Sequence, residues 1–218
     1  EIMFTGLIEE VGRVTAAGGH QLQLAAPGCA PRLRAGDSLA VGGVCLTVTR
    51  TQGERVWVDI SAETLSKTNL GRLAAGQTVN LETALTLERP LGGHLLTGHV
   101  DCVGRVHAVE KAVDSWMLTV EYGAGFSHLV VARGAIAVDG VSLTVAELAA
   151  RAVRIALIPH TIRNTTLAAA APGQEVNLEF DILGKYVARW LEVTGGRPPS
   201  EPDGSGGLTM DRLRDLLS

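Results

Sequence analysis

Two short stretches of the chain place a reactive side chain at the same position of a repeated pattern. Residues 44–48 read VCLTV and residues 141–145 read VSLTV, so the thiol of Cys45 stands where the hydroxyl of Ser142 stands. A thiol becomes a nucleophile or a proton acceptor when a nearby positive group lowers its pKa. A free cysteine also packs as a small apolar residue, so the pattern is compatible with either a catalytic or a structural Cys45.

A histidine marks a second difference between the two halves of the chain. Residues 5–8 read TGLI and residues 97–100 read TGHV, so His99 replaces an apolar residue in a repeated segment. Imidazole is the side chain best suited to proton transfer near neutral pH, although a lone histidine often has a structural role. No repeated ligand spacing joins His99 to the other potential ligands near it, so we expect no metal site. These neighbours are His94, Asp101 and Cys102.

A third pair of segments, SAETL at residues 61–65 and IPHTI at residues 158–162, shares a threonine at Thr64 and Thr161. One hydroxyl per copy can bind the same part of a ligand, and the second copy would then differ through Pro159 and His160. Turn and helix-cap chemistry explains Ser, Thr and Pro equally well. The spacing therefore favours a two-lobed binding protein and does not define a reaction.

The matching segments belong to a duplication of most of the chain. The offset between copies is 92 residues at Thr5 and Thr97 but 97 residues at Leu46 and Leu143, which requires a five-residue insertion in the second copy. Such a unit is too long for a solenoid repeat. Each copy offers about six short strand-like segments, and closing them into a barrel removes exposed edges. We therefore predict an all-β chain of two barrels, residues 3–92 and 93–180. Candidate strands in the first copy are 4–15, 20–26, 38–41, 44–50, 55–60 and 78–83.

A different element is predicted after the second barrel. Apolar residues between 182 and 191 recur at helical spacing, with Asp181 as N-cap and Gly195-Gly196 as the stop, so a helix is expected over 181–194. Its apolar face either packs on its own barrel or makes a subunit contact. Residues 195–207 read as a flexible linker, and a short amphipathic helix is expected over 208–217 within the terminal region 195–218.

Composition limits the possible partners. The 218 residues carry a formal net charge of -4 without a basic cluster, so we expect neither nucleic acid nor an anionic membrane as a partner. The sequence lacks an apolar stretch of about 18 residues and a signal-peptide pattern, which predicts a soluble, cytoplasmic protein. Its three cysteines favour reduced thiols over a disulfide framework or a zinc site.

Seven motifs in this order resemble those of the riboflavin synthase α-chain family. They are MFTGLIE at 3–9, GVCLTVT at 43–49, SAETLSKTNL at 61–70, GGHLLTGHVD at 92–101, IAVDGVSLTV at 136–145, IPHTIRNTTL at 158–167 and VNLEFDILGKYVARWL at 176–191. The resemblance covers residues 3–193.

The resemblance implies two tandem six-stranded Greek-key barrels plus a C-terminal helix that helps to build a homotrimer. The active site would lie between the first barrel of one subunit and the second barrel of its neighbour, with one lumazine bound to each. Two molecules of 6,7-dimethyl-8-ribityllumazine would exchange a four-carbon unit, giving riboflavin and 5-amino-6-ribitylamino-pyrimidinedione without a cofactor or metal. Association with lumazine synthase is also implied as a possibility.

By similarity, the polar active-site set is Cys45, His99, Ser142 and Thr144. Our hypothesis is that His99 moves the proton of the acidic C7 methyl group, while Ser142 or Cys45 assists addition at C7 of the partner lumazine. Which lobe holds the donor stays open. The implied substrate-binding residues are Phe4, Gly6, Leu7, Ile8, Val44, Leu46, Thr47, Ala62, Glu63 and Thr64 in the first lobe, and Gly98, Val100, Arg133, Leu143, Ile158, Pro159, His160 and Thr161 in the second.

Two positions depart from the family pattern, and two other functions compete with the enzyme. Gly42 replaces an asparagine that many members have, and Arg133 replaces a lysine, which changes the donor geometry if that cation contacts a ligand. A lumazine-carrying fluorescent protein is the main alternative, and the presence of Cys45 and His99 favours the enzyme. A flavin-dependent reductase would need a Gly-rich phosphate loop followed by a helix, which the sequence lacks.

Overall fold

The computed structural model describes residues 3–112 and 115–195. They divide into two compact units, one extending to Lys185 and the other beginning at Tyr186. The first unit contains two closed six-stranded antiparallel barrels, which confirms the predicted all-β fold and its duplication.

The first barrel occupies the first half of the chain. Its strands are β1 (Glu10–Gly18), β2 (Gln21–Ala25), β3 (Ser38–Val41), β4 (Val44–Gln52), β5 (Arg55–Asp59) and β6 (Thr78–Thr83). Helix α1 (Ala62–Lys67) and short 3-10 turns at Ala30–Arg32 and Asn69–Arg72 connect them.

The second barrel repeats this order. Its strands are β7 (Cys102–Lys111), β8 (Trp116–Glu121), β9 (Ala135–Val138), β10 (Val141–Ala149), β11 (Ala152–Leu157) and β12 (Glu175–Phe180), with helix α2 (Pro159–Asn164) and 3-10 turns at Ala124–Leu129 and Thr166–Ala169.

Both barrels have the Greek-key connection that the family resemblance implied. The strand order around the first barrel is β1-β2-β5-β4-β3-β6, so β5 and β4 lie between β2 and β3, and the second barrel follows the same order. Each interior is filled by the alternate apolar residues of the strands. In β4 these are Val44, Leu46 and Val48, each at most 4% exposed.

The start of the first copy differs from the prediction. Its first strand was expected from residue 4, but β1 begins at Glu10. Phe4 instead forms an isolated antiparallel bridge with Leu96. These two side chains pack with Ala40 and Ala137 in a small apolar core between the barrels. The segments 4–8 and 96–100 therefore lie between the barrels and not within them.

Most of the predicted insertion lies in one hairpin. Val14 of β1 pairs with Leu24, ten residues on, whereas Val106 of β7 pairs with Val120, fourteen residues on. Four of the five extra residues therefore lengthen the β7–β8 hairpin.

A pair of buried asparagines joins the barrels through reciprocal hydrogen bonds. Asn80 donates its side-chain N–H to the Asp139 carbonyl oxygen at 2.9 Å and accepts from the Thr166 amide at 2.8 Å. Asn177 likewise donates to the Gly42 carbonyl oxygen at 2.9 Å and accepts from the Asn69 amide at 2.8 Å. Each asparagine belongs to one barrel and hydrogen-bonds to the other.

The predicted C-terminal helix is present as α3 (Ile182–Thr194). Its first turn is capped by Asp181, whose carboxylate accepts from the Leu183 amide at 3.0 Å, as predicted. In the second unit Tyr186, Val187 and Trp190 are exposed. Among the described helices, none has the length and apolar character needed to span a bilayer. The predicted linker beyond Gly195 and the terminal helix lie outside the described residues.

Candidate functional site

The predicted catalytic strands present their polar residues on the outside of each barrel. In β4 the side chains of Cys45 and Thr47 alternate with the buried apolar residues, and in β10 Ser142 and Thr144 do the same. Cys45 and Ser142 are partly buried, whereas both threonines are exposed. The strand pleat therefore puts one thiol or hydroxyl and one threonine on equivalent outer faces.

The same alternation turns three residues of the predicted binding set away from the outer faces. Val44, Leu46 and Leu143 were expected to bind substrate, but their side chains point into the barrel interiors and are at most 7% exposed. Their side chains are therefore not available to a ligand on the outer face, which leaves only their main chain for contact. Phe4 is also buried, in the core between the barrels, so its side chain supports the adjoining segment.

The loops that precede the two barrels are exchanged between them. The Ser142 amide in the second barrel donates to the Gly6 carbonyl oxygen at 2.9 Å, and the Cys45 amide in the first barrel donates to the Gly98 carbonyl oxygen at 2.9 Å. Ile8 packs on the second core and Val100 on the first. Our assignment of residues 6–8 to the first lobe and 98–100 to the second is therefore reversed, because each loop crosses to the other barrel.

Only glycine fits at these crossing points. Gly6 and Gly98 have φ angles of +75° and +73°, and an added Cβ at either would lie 2.5 Å from the Cβ of Ser142 or Cys45. Both the left-handed backbone and the missing side chain are needed. The next residues, Leu7 and His99, are exposed at the edge of the opposite barrel, so His99 belongs with Cys45 by position.

His94 is a functional candidate that the sequence indicated only as a possible metal ligand. Its Nδ1 lies 2.7 Å from the Ser142 hydroxyl oxygen. Burial lowers the pKa of His94, against the opposing effect of the Asp181 carboxylate, so the ring is neutral near pH 7 and can accept a proton. Its Nε2 is buried and finds no hydrogen-bond partner among the described residues. The signal available in the sequence was a second histidine five residues before His99.

The electrostatics around Cys45 differ from those required for a thiolate. Burial raises the pKa of the Cys45 thiol, the negative charge of Glu179 raises it further, and a hydrogen bond with Ser38 opposes both. Cys45 is therefore a neutral thiol at neutral pH and can serve as a hydrogen-bond or proton donor. Burial likewise raises the pKa of Cys29 to about 12 and that of Cys102 to about 11.

The threonine-containing segments form the N-terminal turns of the two short helices. Ser61 caps α1 by accepting from the Thr64 amide at 3.0 Å, and Pro159 occupies the first turn of α2. A side-chain cap is therefore present at Ser61, whereas α2 begins at Pro159 without one. Because Thr47 pairs with Asp59, the register brings the start of α1 alongside Cys45. Ala62, Glu63, Ile158 and His160 are exposed, whereas Thr64 and Thr161 are partly buried.

Arg133 occupies a strained backbone position. Its φ is +64°, in the turn before β9, where the first copy has Gly36 at a φ of +95°. The side chain is exposed, and its amide donates to the Val145 carbonyl oxygen at 2.8 Å. The other departure, Gly42, has a φ of +55° in the β3–β4 turn, a conformation that glycine and asparagine both adopt.

Two cavities formed by described residues lie away from these outer faces. They enclose about 700 and 610 Å³, lie where the barrels meet, and share the side chains of Arg72, Arg105 and Glu175. Neither is lined by Cys45, His99, Ser142 or Thr144. Of these four residues, His99 and Thr144 are exposed on this single chain, whereas Cys45 and Ser142 are partly buried.

Comparison with known proteins matches both barrels to one family. The model of the lumazine binding domain family matches residues 5–84 and again residues 97–181. The two matches coincide with the two copies of the duplicated sequence.

Curated relatives match over most of their length. A riboflavin synthase of Actinobacillus pleuropneumoniae is 35% identical over 97% of this chain and 98% of that protein. A riboflavin synthase of Mycobacterium tuberculosis (strain ATCC 25618 / H37Rv) is 41% identical over 88% of this chain and all of that protein. One from Bacillus subtilis (strain 168) is 39% identical over 87% and 90%.

Solved structures support the fold. LumP in complex with 6,7-dimethyl-8-(1'-D-ribityl) lumazine superposes with a TM-score of 0.74 at 23% identity, covering 81% of this chain and 98% of LumP. LumP in complex with riboflavin gives a TM-score of 0.76 at the same identity and coverage. Together, the two matched domains and the extended similarity to curated relatives show that the chain belongs to the riboflavin synthase family.

Proposed function

We propose that this chain works as an enzyme of its family by joining two identical lumazines across two facing barrels. In the riboflavin synthase reaction, a transferase reaction, two molecules of 6,7-dimethyl-8-ribityllumazine dismutate. One gives up four carbons and leaves as 5-amino-6-ribitylamino-pyrimidinedione, and the other gains them and becomes riboflavin. The observation that carries the proposal is the pair of equivalent outer faces, one with Cys45 and His99 and the other with Ser142 and His94.

The unequal side chains of the two faces suit the unequal roles of the two substrates. On the first face, His99 removes the proton of the C7 methyl group, and the neutral Cys45 thiol donates a hydrogen bond. On the second face, His94 accepts the proton of the Ser142 hydroxyl as its oxygen adds to C7 of the other lumazine. Thr144 lies on the same face as Ser142 and offers a further hydroxyl. Holding both lumazines together supplies much of the rate acceleration.

The binding contacts proposed for substrate come from three places around each face. The exchanged loops contribute Leu7 and Ile8 to the second face and Val100 to the first. The N-terminal turns of α1 and α2 contribute Ala62, Glu63 and Thr64, and Ile158, Pro159, His160 and Thr161. Thr47 and the main chain of β4 and β10 complete the set, with Arg133 at the margin of the second face.

A homotrimer is proposed because each face is open on a single chain. A face on the first barrel of one subunit is closed when the second barrel of a neighbour covers it, which brings the two substrates together and excludes water. The exposed apolar side chains of α3, such as Tyr186 and Trp190, support a role in this assembly. The three free cysteines fit a reducing cytoplasm, where association with lumazine synthase would supply substrate.

A carrier function is the competing proposal, favoured by the shared fold with LumP. Incubating the purified chain with 6,7-dimethyl-8-ribityllumazine and recording riboflavin absorbance separates the two. We expect riboflavin to accumulate with half of the lumazine converted to it. Tight one-to-one binding without turnover would instead identify a carrier.

A further inference from the structure

We propose that Glu82 and Glu179 are positioning residues that each shape the substrate face of the opposite barrel. Each carboxylate lies in one barrel and holds the exchanged loop whose glycine hydrogen-bonds to the other barrel. For the catalytic consequence, this inference rests on the proposed function of His99 and Ser142.

Glu179 in β12 holds the loop that carries His99. Its Oε1 accepts from the Thr97 amide at 2.7 Å and from the Thr97 hydroxyl at 2.9 Å, and its Oε2 accepts from the Gly98 amide at 3.1 Å. The Gly98 carbonyl in turn accepts from the Cys45 amide at 2.9 Å. A chain of hydrogen bonds therefore runs from the second barrel to Cys45 in the first.

Glu82 in β6 makes the same contacts in the other direction. Its Oε1 accepts from the Thr5 amide at 2.8 Å and the Thr5 hydroxyl at 2.7 Å, and its Oε2 accepts from the Gly6 amide at 2.9 Å. The Gly6 carbonyl accepts from the Ser142 amide at 2.9 Å. This second chain ends on the residue that His94 contacts.

Both carboxylates are buried, at 2% and 4% exposure, so their contacts are not replaced by bulk water. A buried carboxylate needs several donors, and here all three come from one loop. Burial also raises the pKa of both groups, opposed by the Thr5 and Thr97 hydrogen bonds. Two residues that belong to the barrel walls thus determine where the exchanged loops lie.

The strand register makes Cys45 and Ser142 dependent on these loops. Cys45 pairs with Ala40 next to the Val41–Val44 hairpin end, so its amide points away from β3. Pairing of β4 with β5 begins only at Thr47. The Gly98 carbonyl oxygen accepts the hydrogen bond of the Cys45 amide in place of a neighbouring strand. The Gly6 carbonyl oxygen does the same for the Ser142 amide. Loosening a loop therefore exposes the amide of the strand it covers.

Glutamine is a sharp probe of this arrangement. Glu179→Gln and Glu82→Gln keep the size of the side chain but replace one oxygen with an NH₂ group. Because both oxygens accept from donors, the new NH₂ faces another donor and at least one contact is lost. Amide hydrogen exchange in the full chain, resolved at Cys45 and Ser142, then reports each loop separately.

We expect a crosswise pattern. Glu179→Gln should accelerate exchange at Cys45 by about tenfold or more and leave Ser142 nearly unchanged, whereas Glu82→Gln should do the reverse. A general loss of stability would accelerate both amides in both variants. That outcome would overturn the proposal. Faster amide exchange only at the strand of the barrel that carries the substitution would overturn it too.

Milder variants cover the case in which a glutamine variant does not fold. Thr97→Val and Thr5→Val each remove one of the three donors and should give the same pattern in weaker form. Glu121→Gln, an exposed change in β8, is the matched control and should alter neither amide. Riboflavin formation is measured in parallel: a crosswise exchange pattern in a chain without turnover would refute the enzymatic function and leave the positioning role standing. With turnover, Glu179→Gln should lower kcat by about tenfold through His99.

Discussion

Cys45 and Ser142 occupy equivalent strand positions but have different chemical neighbours. Cys45 lies beside the loop that carries His99, and its pKa is raised by burial and by Glu179. Ser142 lies 2.7 Å from Nδ1 of His94, whose pKa is lowered by burial. One face therefore offers a neutral thiol as donor, and the other offers a hydroxyl with its own base. The two copies therefore differ in the residues around β4 and β10 as well as in the strands themselves.

Removing either group of the first face should slow turnover. We expect Cys45→Ala and His99→Ala each to lower kcat by at least about a hundredfold, the lower range for a group that transfers or donates a proton. Steady-state riboflavin formation measures this. Cys102→Ser is the control, because Cys102 is a cysteine in β7, a strand that carries none of the proposed catalytic residues. Near-normal rates in both variants would remove Cys45 and His99 from the catalytic set.

Asp139 predicts a pH dependence of stability at the junction of the barrels. Burial raises its pKa from 3.8 to about 7, against hydrogen bonds from the Asn177 amide and the Asn69 side chain. The pKa of Asp139 in the folded chain lies above its value in the unfolded chain. The contribution of protonated Asp139 to the free energy of unfolding is therefore fully present below pH 3.8 and is lost as the pH rises through about 7.

Asp139→Asn keeps an acceptor oxygen and does not titrate. Relative to this variant, the wild-type chain should lose up to about 4 kcal/mol of unfolding free energy between pH 4 and pH 8, at about 1.4 kcal/mol per pKa unit. Urea unfolding of both proteins at several pH values measures the difference, and effects of other groups cancel. Parallel stability curves would show that Asp139 ionises normally.

At the scale of elements, the alternation of β4 and β10 decides which side chains meet a ligand. The apolar residues of each strand fill the barrel, so the polar residues between them face outward. The helices then have separate roles. The short helices α1 and α2 begin beside these faces, whereas α3 presents exposed apolar side chains such as Val187 and Trp190.

Deleting residues 182–218 should weaken the proposed trimer. The deletion removes the exposed apolar side chains of α3, whose burial between subunits would contribute about 25 cal/mol per Å². Sedimentation velocity of the full and shortened chains should show a shift from trimer toward monomer. An unchanged sedimentation profile would refute a role for the helix in assembly.

At the scale of the whole molecule, the two barrels act as one unit because they exchange contacts symmetrically. The exchanged loops, the small core around Phe4 and Leu96, and the pair of Asn80 and Asn177 each contribute reciprocal contacts between the barrels. The main chains of the two barrels also meet directly at Gly43 and Gly140. They are so close that a Cβ at Gly43 would lie 2.6 Å from the Gly140 amide nitrogen. The barrels are therefore coupled by main-chain contacts as well as side chains.

Replacing the asparagines should destabilise the joined barrels. Asn80→Ala leaves the Thr166 amide and the Asp139 carbonyl without their partner, and Asn177→Ala does the same to Asn69 and Gly42. Each change should cost about 1–3 kcal/mol of unfolding free energy per uncompensated group. Urea unfolding measures the loss. Asn164→Ala, an exposed position in α2, serves as control, and equal midpoints for all three variants would contradict the role of the pair.

The sequence by itself determined the elements and their duplication. The period of two in VCLTV and VSLTV predicted strands, the changing offset predicted the insertion, and Asp181 predicted the start of α3. These features depend on residues close together in the chain, whose backbone preferences and burial patterns can be read locally. The motifs also identified the family that the comparisons then established.

Only the tertiary structure decided how the duplicated parts meet. The exchange of the loops at Gly6 and Gly98, the contact of His94 with Ser142, and the links from Glu82 and Glu179 join residues 48 to 136 positions apart. Two similar loops beside two similar barrels have nearly the same local preferences, so sequence pattern cannot distinguish packing on the nearer barrel from crossing to the other. The complementary surfaces of the folded barrels make that choice.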